Sequence, residues 1–364
     1  MIRDSRIRKV EFSIFTVPTD APESDGTFEW NATTLILAEL SSENETGLGY
    51  TYGNKAIAAL AGHIAQTCLI DQSPFDILAL NSRMVRAVRN DGYRGISAMA
   101  ISMLDAALWD LKARLLGLTI TQLLGRARNQ VPVYGSGGFT SYSARQLEQQ
   151  LAGWVDSGIR LVKMKVGTEP DTDLDRVRWA RKAVGDETAL FVDANGAYST
   201  KQALRLAELF QEQGVSWFEE PVTSDQLEEL NLIRRRAPVA MEIAAGEYGY
   251  GLFDFRRMLE AKAVDVLQAD ATRCGGFTGF LAVAAMADGF GVPLSAHCAP
   301  SLHLHLGCAL PHLRHIEYFH DHVRIERMLF DGFMEQRDGF MKPDLSRPGL
   351  GLTIKRKDAM RFAA

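Results

Sequence analysis

The first third of the chain changes from a two-residue hydrophobic period to a helical one. Residues 10–15 and 34–40 alternate in strand fashion, and a third such run follows the polar turn at 42–44, which predicts an antiparallel meander. Residues 18–26 are polar and contain proline and glycine, a composition that predicts a mobile loop. From about 55 to 125 the apolar residues recur at helical spacing. The first domain is therefore predicted to be α+β.

From Val131 onwards a strand, a turn and a helix are repeated. Seven amphipathic stretches separate eight short apolar runs, a pattern that indicates parallel strands joined by helices. Glycines and prolines replace the helical spacing after Tyr318, so the last strand is predicted to lack its helix. The predicted fold class is α/β, a (β/α)7β TIM-like barrel with an N-terminal α+β capping domain that the C-terminal segment completes. We assign 1–126 and 325–364 to the capping domain and 127–324 to the barrel. The predicted strands are 131–134, 161–166, 189–193, 216–219, 239–245, 264–269, 292–296 and 315–318.

Seven of these predicted strands end at an ionisable residue. The seven residues follow one another at intervals of 20 to 28 positions, about the length of one strand-plus-helix unit. Terminal residues of parallel barrel strands converge on one rim, which is where such barrels build active sites. The series therefore predicts an assembled catalytic site. Its members are Lys165, Asp193, Glu219, Glu247, Asp270, His297 and Glu317.

Two lysines share the second barrel strand. Lys163 and Lys165 are two positions apart in an apolar run, so strand alternation places both on one face. An inward pair of ammonium groups is costly unless an anion binds there, and each should lower the pKa of the other. The alternative is a pair of lysines that reach into solvent from an exposed edge strand.

Three acids end three consecutive strands. Asp193, Glu219 and Glu247 form an oxygen-only set that suits a hard divalent cation, Mg²⁺ before Mn²⁺. Taken singly, each acid is more often a helix cap or an ion-pair partner. Alternation does not decide between Glu219 and Glu220, because it says only that one of the two faces inward.

Asp270 and His297 end neighbouring strands, so a carboxylate–imidazole hydrogen bond is expected. The bond would fix the tautomer of His297 and raise the basicity of its other nitrogen. In an eight-stranded ring, Lys165 and His297 would face a bound substrate from opposite sides. Glu317, if protonated, would donate a hydrogen bond to a developing oxyanion. The histidines at 303 and 305 lie in an apolar helical stretch, which favours core histidines over zinc ligands.

Composition excludes several classes of function. The 364 residues exceed the roughly 250 of such a barrel. With 46% hydrophobic and 23% charged residues, a net charge of −5 and only short basic runs, the chain carries no nucleic-acid footprint. It has no apolar run of membrane-spanning length, and its charged N-terminus lacks a signal-peptide core, so we expect a cytoplasmic protein without a membrane partner. Four cysteines without Cys-x-x-Cys spacing are expected to be free thiols.

Taken together, these residues resemble the mandelate racemase subgroup of the enolase superfamily. The resemblance is strongest from about residue 95 to Glu317 and extends in weaker form over the whole chain. Muconate-lactonising relatives carry a lysine where this chain has Asp270, so they fit less well. The matching motifs are Lys163-Met164-Lys165, Asp193-Ala194-Asn195-Gly196, Glu219-Glu220-Pro221, Gly246-Glu247, Asp270, Ser295-Ala296-His297 and Glu317.

The resemblance implies roles for the individual residues. It implies Mg²⁺ bound by Asp193, Glu219 and Glu247, and Lys165 and His297 as the two acid/base residues. Further implied roles are Asp270 as the partner of the histidine, Lys163 on the substrate carboxylate, Glu317 on the enediolate, and Asn195 and Glu220 as weaker candidates for a second layer or for substrate contact.

The implied reaction begins with removal of the proton α to a carboxylate, through a metal-stabilised enediolate. Because polyhydroxy acids are the commoner substrates of such relatives, we expect dehydration of an acid sugar to a 2-keto-3-deoxy acid. The alternative is a racemase or epimerase of a mandelate-like 2-hydroxy acid, and a more distant one is a non-catalytic ligand-binding or structural member. The expected partner is a small anionic carboxylate, the expected assembly a homo-oligomer, and specificity is expected in the loops at about 19–30 and 51–55.

Overall fold

The computed structural model describes residues 5–364; residues 1–4, part of the charged N-terminal stretch, lie outside the described residues. The predicted meander and the helices after it are confirmed as one three-stranded antiparallel sheet packed on helices. The elements of this capping domain are β1 (Lys9–Ser24), β2 (Glu29–Ser41), β3 (Thr46–Tyr52), α1 (Ala56–Cys68), α2 (Ile77–Ala87), α3 (Ile96–Leu115) and α4 (Ile120–Leu124).

The predicted mobile loop at 18–26 is wrong, because β1 continues as a strand to Ser24 and pairs with β2 almost to its tip. β1 is an edge strand of its sheet, where the missing N–H of Pro18 leaves no broken ladder bond. The register shifts between Pro18 and Glu23, and the Trp30 indole N–H donates to Glu23 at 2.7 Å. The polar composition therefore belongs to a long hairpin.

The predicted barrel is confirmed. Eight parallel strands follow one another in chain order, and the last pairs with the first to close the ring. Lys165 lies opposite Asp193, and Asp193 lies opposite Glu219 in the neighbouring register, so the strand ends that carry the predicted site are level. The strands are β4 (Val131–Gly137), β5 (Leu161–Lys165), β6 (Ala189–Asp193), β7 (Val215–Glu219), β8 (Glu242–Ala245), β9 (Val266–Ala269), β10 (Leu294–Ala296) and β11 (Leu313–Phe319). The helices between them are α5 (Ala144–Asp156), α6 (Asp173–Val184), α7 (Thr200–Gln211), α8 (Leu227–Arg236), α9 (Leu252–Glu260), α10 (Gly276–Gly289) and α11 (Pro300–Ala309).

Aromatic rings fill the barrel interior beneath the strand ends. Phe191 stacks on Trp217 with centroids 5.1 Å apart, and Tyr134 packs edge-on against Phe191. Each of these side chains is buried. A packed floor of this kind leaves the upper rim as the open end of the barrel.

The predicted absence of a helix after the last strand is wrong. Helix α12 (His320–Leu329) begins directly after β11. It buries apolar side chains together with Glu326, which accepts hydrogen bonds from the Tyr50 hydroxyl at 2.7 Å and the Ser301 N–H at 3.1 Å. Because helix and strand meet without a turn residue, and the buried face includes a charged residue, hydrophobic spacing alone did not reveal the helix.

The C-terminal segment contacts both parts of the molecule. Phe340 and Met341 pair antiparallel with the start of β4. Arg356 forms an ion pair of 2.7 Å with Glu39 of the capping sheet, and the Ala364 N–H donates to a carbonyl of β1. The domain boundaries at 126 and 324 stay predictions. The elements of the C-terminal segment after α12 are β12 (Phe330–Asp331), β13 (Phe340–Met341), β14 (Thr353–Ile354), α13 (Arg356–Ala359) and a 3-10 turn (Met360–Phe362).

Among residues 5–364, no helix combines the length and the apolar character needed to cross a membrane.

Candidate active site

The three predicted metal ligands meet at the rim of the barrel. One carboxylate oxygen each of Asp193, Glu219 and Glu247 lies within 4.8 Å of the others, and all three residues are buried. Glu219 accepts a hydrogen bond from the Trp217 indole at 3.0 Å, and Asp193 accepts one from the Asn195 N–H at 2.9 Å. The structure thus selects Glu219 as the member of this acid triad, a choice that strand alternation left open.

The two weaker candidates border the acid triad. Asn195 and Glu220 both adopt left-handed backbone conformations, with φ of 47° and 38°, which are uncommon for non-glycine residues and cluster at functional sites. The Oδ1 atom of Asn195 and the Oε1 atom of Glu220 are buried without a hydrogen-bond partner. Burial and the neighbouring carboxylates of Glu247 and Asp193 raise the pKa of Glu220 well above its usual value.

Both lysines of β5 point into the site and are buried, which excludes an exposed edge strand. Lys163 Nζ lies 2.7 Å from Glu219 and 2.9 Å from Glu317, and Lys165 Nζ lies 2.5 Å from Asp193. Burial has the largest effect on Lys165 and lowers its pKa, and Lys163 lowers it too, but Asp193, Glu247 and Glu219 together outweigh them and the net pKa is raised. The predicted lowering of the Lys165 pKa by the second ammonium is confirmed, but the expected net lowering is wrong for both lysines, because the acids around them raise the pKa by more.

Asp270 and His297 form the predicted hydrogen bond, with 2.8 Å between Oδ2 and Nδ1. The other Asp270 oxygen accepts from the Thr272 N–H at 2.7 Å, which fixes the carboxylate. Nε2 of His297 therefore faces the acid triad, 3.2 Å from Glu247. Burial opposes the charged imidazole, but Cys298 and the surrounding carboxylates outweigh burial and raise the pKa of His297. Since Lys165 contacts one end of the triad and His297 the other, the triad lies between them.

Glu317 does not fit the expectation of a protonated donor. Its carboxylate lies 2.9 Å from Lys163 Nζ, and its other oxygen accepts from the Cys298 N–H at 2.9 Å. Burial raises the pKa of Glu317, but Lys163 and His297 outweigh burial, and the net pKa is lowered. Glu317 is therefore ionised and forms an ion pair with the Lys163 ammonium. It does not have the proton that it would need to donate a hydrogen bond to a substrate oxyanion.

The donor chemistry of the site fits a hard divalent cation. All three members of the acid triad offer oxygen, the ligand that Mg²⁺ prefers. Burial first, and then repulsion by Asp193, raises the pKa of Glu219 to about 8, although Lys163 lies beside it. A cation between the three carboxylates would remove this repulsion.

Sequence reasoning missed two residues of the site. Arg273 lies 3.7 Å from Glu247 and 3.8 Å from Asp270, and its guanidinium stacks over the Tyr248 ring. Its position three residues after Asp270, in the turn that ends β9, is the signal that could have found it. The thiol of Cys298 lies 3.2 Å from His297 Nε2, and only its adjacency to the histidine marks it in the sequence.

The tip of the β1–β2 hairpin lies on the rim of the barrel. The Asp25 carbonyl accepts hydrogen bonds from the Thr140 and Thr168 hydroxyls at 2.8 and 2.7 Å. At Gly26 a Cβ atom would stand 2.4 Å from the Ala194 carbonyl oxygen, so the backbone there packs directly on the turn after Asp193. The second predicted loop also reaches the rim, where Thr51 donates to the Thr272 carbonyl at 2.9 Å.

The two histidines of α11 are core residues, as predicted. Nε2 of His303 accepts from the Ala271 N–H at 2.9 Å, and its Nδ1 donates to the Cys298 carbonyl at 2.8 Å. His305 is held between the Thr121 hydroxyl and the Leu350 carbonyl. Burial lowers the pKa of His305 to about 4, so it is neutral near pH 7.

Two family models match most of the chain. Residues 13–125 match the N-terminal domain of mandelate racemase and muconate lactonizing enzyme, and residues 146–359 match the enolase C-terminal domain-like family. Among solved structures, a mandelate racemase/muconate lactonizing enzyme-like protein from Rubrobacter xylanophilus is 50% identical, with a TM-score of 0.97 over 99% of this chain and 100% of that chain.

Curated relatives with named activities include an acid-sugar dehydratase and a cycloisomerase. L-talarate/galactarate dehydratase from Salmonella typhimurium is 32% identical over 96% of this chain and 89% of its own length. Its structure with Mg and L-lyxarohydroxamate superposes with a TM-score of 0.91 over 99% of this chain and 93% of that chain. D-galactarolactone cycloisomerase from Agrobacterium fabrum is 31% identical over 76% of this chain and 74% of its own length.

Proposed function

Because the chain belongs to the mandelate racemase/muconate lactonizing enzyme family of the enolase superfamily, we propose that it is a Mg²⁺-dependent acid-sugar dehydratase. The substrate is a polyhydroxy carboxylate, and the product is a 2-keto-3-deoxy acid. One observation carries the proposal: Lys165 and His297 contact opposite ends of a buried acid triad that fits Mg²⁺. Relatives named dehydratases of galactarate, arabinonate and galactonate support the substrate class.

The residues divide the reaction between two faces of the substrate. Asp193, Glu219 and Glu247 hold Mg²⁺, which supplies stabilisation of the negative charge that develops on the substrate carboxylate. A cation on the acid triad would offset the carboxylates that raise the pKa of Lys165 and His297. Lys165 or His297 then removes the α-proton, depending on the configuration of the substrate, and the residue on the other side faces the opposite face of the α-carbon.

His297 exchanges its proton at Nε2. Asp270 occupies Nδ1 and thereby fixes the tautomer in which Nε2 accepts the proton. The protonated form of His297 or Lys165 donates to the departing β-hydroxyl, which leaves as water. Lys163 contributes positive charge to the substrate carboxylate, and Glu317 holds Lys163 in place.

The same geometry supports a second candidate, racemisation or epimerisation of a 2-hydroxy acid. Both reactions begin with removal of the α-proton, and the presence of a base on each side permits return of a proton to the opposite face. The two candidates differ in product, since only dehydration yields a 2-keto acid.

The reaction is tested with the Mg²⁺-loaded protein and a panel of acid sugars in D₂O. We measure 2-keto acid formation and deuterium incorporation at the α-carbon for galactarate, L-talarate, galactonate, arabinonate, gluconate and mandelate. Keto acid formation identifies a dehydratase, and deuterium incorporation with inverted configuration but no keto acid identifies a racemase. If no substrate shows either change, the proposal fails. The same assay is applied to the variant Lys165→Ala, which removes one proposed base. Its matched control is Lys201→Ala, which removes an exposed lysine of α7.

We also propose that the protein works as a homo-oligomer in the cytoplasm. Exposed apolar side chains, Leu252 and Phe253 among them, line a groove between α9, α10 and the capping domain, and exposed patches of this kind are common at interfaces. The four cysteines are free, as is usual in a reducing compartment. Light scattering of the purified protein measures its molar mass in solution. The mass of a monomer at micromolar concentration would refute the proposed homo-oligomer.

A further inference from the structure

A second cluster of metal-ligating side chains shares no residue with the acid triad. Asp20 and Glu23 belong to β1, and His320 is the first residue of α12. One carboxylate oxygen of each acid and one ring nitrogen of His320 lie within 4.8 Å of one another. Asp20 is exposed and His320 is partly buried, so the cluster is open to solvent on one side.

Glu23 supplies independent evidence that a ligand is missing from its surroundings. Its side chain is 1% exposed, and while Oε2 accepts from the Trp30 indole, Oε1 has no hydrogen-bond partner. The guanidinium of Arg324, whose charge lowers the pKa of Glu23, donates to Asp321 at 2.6 Å and to the Pro18 carbonyl and makes no hydrogen bond to Glu23. A buried carboxylate oxygen without a partner costs free energy and calls for an explanation.

The electrostatics of the cluster also favour a cation. Burial, together with the carboxylates of Asp321 and Asp20, raises the pKa of Glu23 to about 8, against the opposing effects of Trp30 and Arg324. Glu23 is therefore protonated at neutral pH unless positive charge approaches it.

We propose that Asp20, Glu23 and His320 bind one divalent transition-metal ion, for which Zn²⁺ is the probe. An imidazole nitrogen with two carboxylates is a donor set that zinc accepts, whereas Mg²⁺ prefers oxygen alone. Tetrahedral zinc ligands at about 2.1 Å from the metal lie about 3.4 Å apart. The 3.0 Å between His320 Nε2 and Asp20 Oδ2, and the 4.8 Å limit for the set, bracket this spacing.

The ion would join two parts of the chain that are 300 residues apart, Asp20 on the capping hairpin and His320 at the end of the barrel. Phe139, in the loop after β4, packs against both the Trp30 ring of the hairpin and the His320 ring. The same hairpin carries the tip at Gly26 that lies on the rim of the active site. A bound ion would therefore hold the hairpin against the barrel. This inference does not depend on the proposed reaction.

The test is equilibrium dialysis of the full-length protein against Zn²⁺ in excess Mg²⁺, which competes for the acid triad. We compare wild type with His320→Asn and Glu23→Gln, and with Asp193→Asn, which alters the acid triad alone. The matched control is His312→Asn, because His312 lies 3.5 Å from Asp288 on the surface without a buried third ligand. Melting temperatures without zinc show that each variant is folded.

Wild type is expected to bind one more equivalent of Zn²⁺ than His320→Asn or Glu23→Gln, and Asp193→Asn and His312→Asn are expected to retain that equivalent. Equal zinc content in wild type and in both cluster variants would overturn the proposal, because the cluster would then contain only the ion pair between Asp20 and His320. Loss of the equivalent in Asp193→Asn alone, or equally in His312→Asn, would also overturn the proposal.

Discussion

The hairpin tip offers a sharp test of how the capping domain completes the active site, through the substitution Gly26→Ala. The added Cβ would stand 2.4 Å from the Ala194 carbonyl oxygen and 2.7 Å from that of Val166. Carbon–oxygen contacts lie at about 3.3 Å or more, so the tip must withdraw by roughly 1 Å. Both oxygens are backbone atoms of residues that directly follow Asp193 and Lys165 at the ends of barrel strands. The barrel backbone therefore cannot easily move away from the added Cβ.

A withdrawal of this size should affect catalysis more than folding. A misplacement of about 1 Å can cost on the order of 100-fold in rate, whereas overpacking costs about 1–3 kcal/mol of stability. We therefore expect kcat/KM for the substrate that the acid-sugar panel identifies to fall by about 100-fold, with a melting temperature lowered by only a few degrees. Steady-state kinetics and thermal unfolding of the same samples measure the two effects.

The matched control is Gly153→Ala on α5, where the added Cβ meets no atom within 4 Å. Alanine is favoured over glycine in a helix by about 1 kcal/mol, so this variant should keep full activity and equal or higher stability. A folded Gly26→Ala protein with wild-type kcat/KM would refute the reasoning, because the tip would then contribute nothing to the closed site.

Three further predictions concern the bases, the metal and the domain junction. Lys165→Ala and His297→Asn should each lower turnover by about 10²–10⁴-fold, and α-proton exchange that survives unchanged in both would disprove their assignment. EDTA should abolish activity and added Mg²⁺ restore it, so full activity after dialysis against EDTA would contradict the metal assignment. Burial raises the pKa of Glu326 to about 7, so its stabilising contribution, about 3 kcal/mol, is lost as pH rises from about 4.5 through 7. Denaturant unfolding should show a flatter pH profile for Glu326→Gln, and an unchanged profile would exclude Glu326 as the source.

The periodicity of the chain was sufficient to predict the barrel and the positions of its chemical groups. Strand and helix periods are local properties, and a parallel strand places its last residue at the rim whatever the rest of the fold does. For this reason Lys165, Asp193 and His297 could be predicted as neighbours although more than a hundred residues separate the first from the last.

Tertiary structure decided what depends on neighbours distant in sequence. Local alternation predicted one inward residue among Glu219 and Glu220 and did not choose between them. The family resemblance favoured Glu219, and the hydrogen bonds from Trp217 and Lys163 show what holds it in the acid triad. Polar residues at 18–26 predicted a loop, but pairing with β2 extends the strand to Ser24.

Protonation states and the second cluster were also decided by the fold. The pKa of a buried group depends on charges from several strands at once, which is why Lys165 and Glu317 titrate differently from the sequence expectation. Asp20 and His320 lie at opposite ends of the chain, and no local pattern relates them. The sequence by itself determined which groups reach the rim, because that follows from the period of each strand. The tertiary structure alone decided which of these groups carry charge and which distant residues join them, because both depend on contacts across the fold.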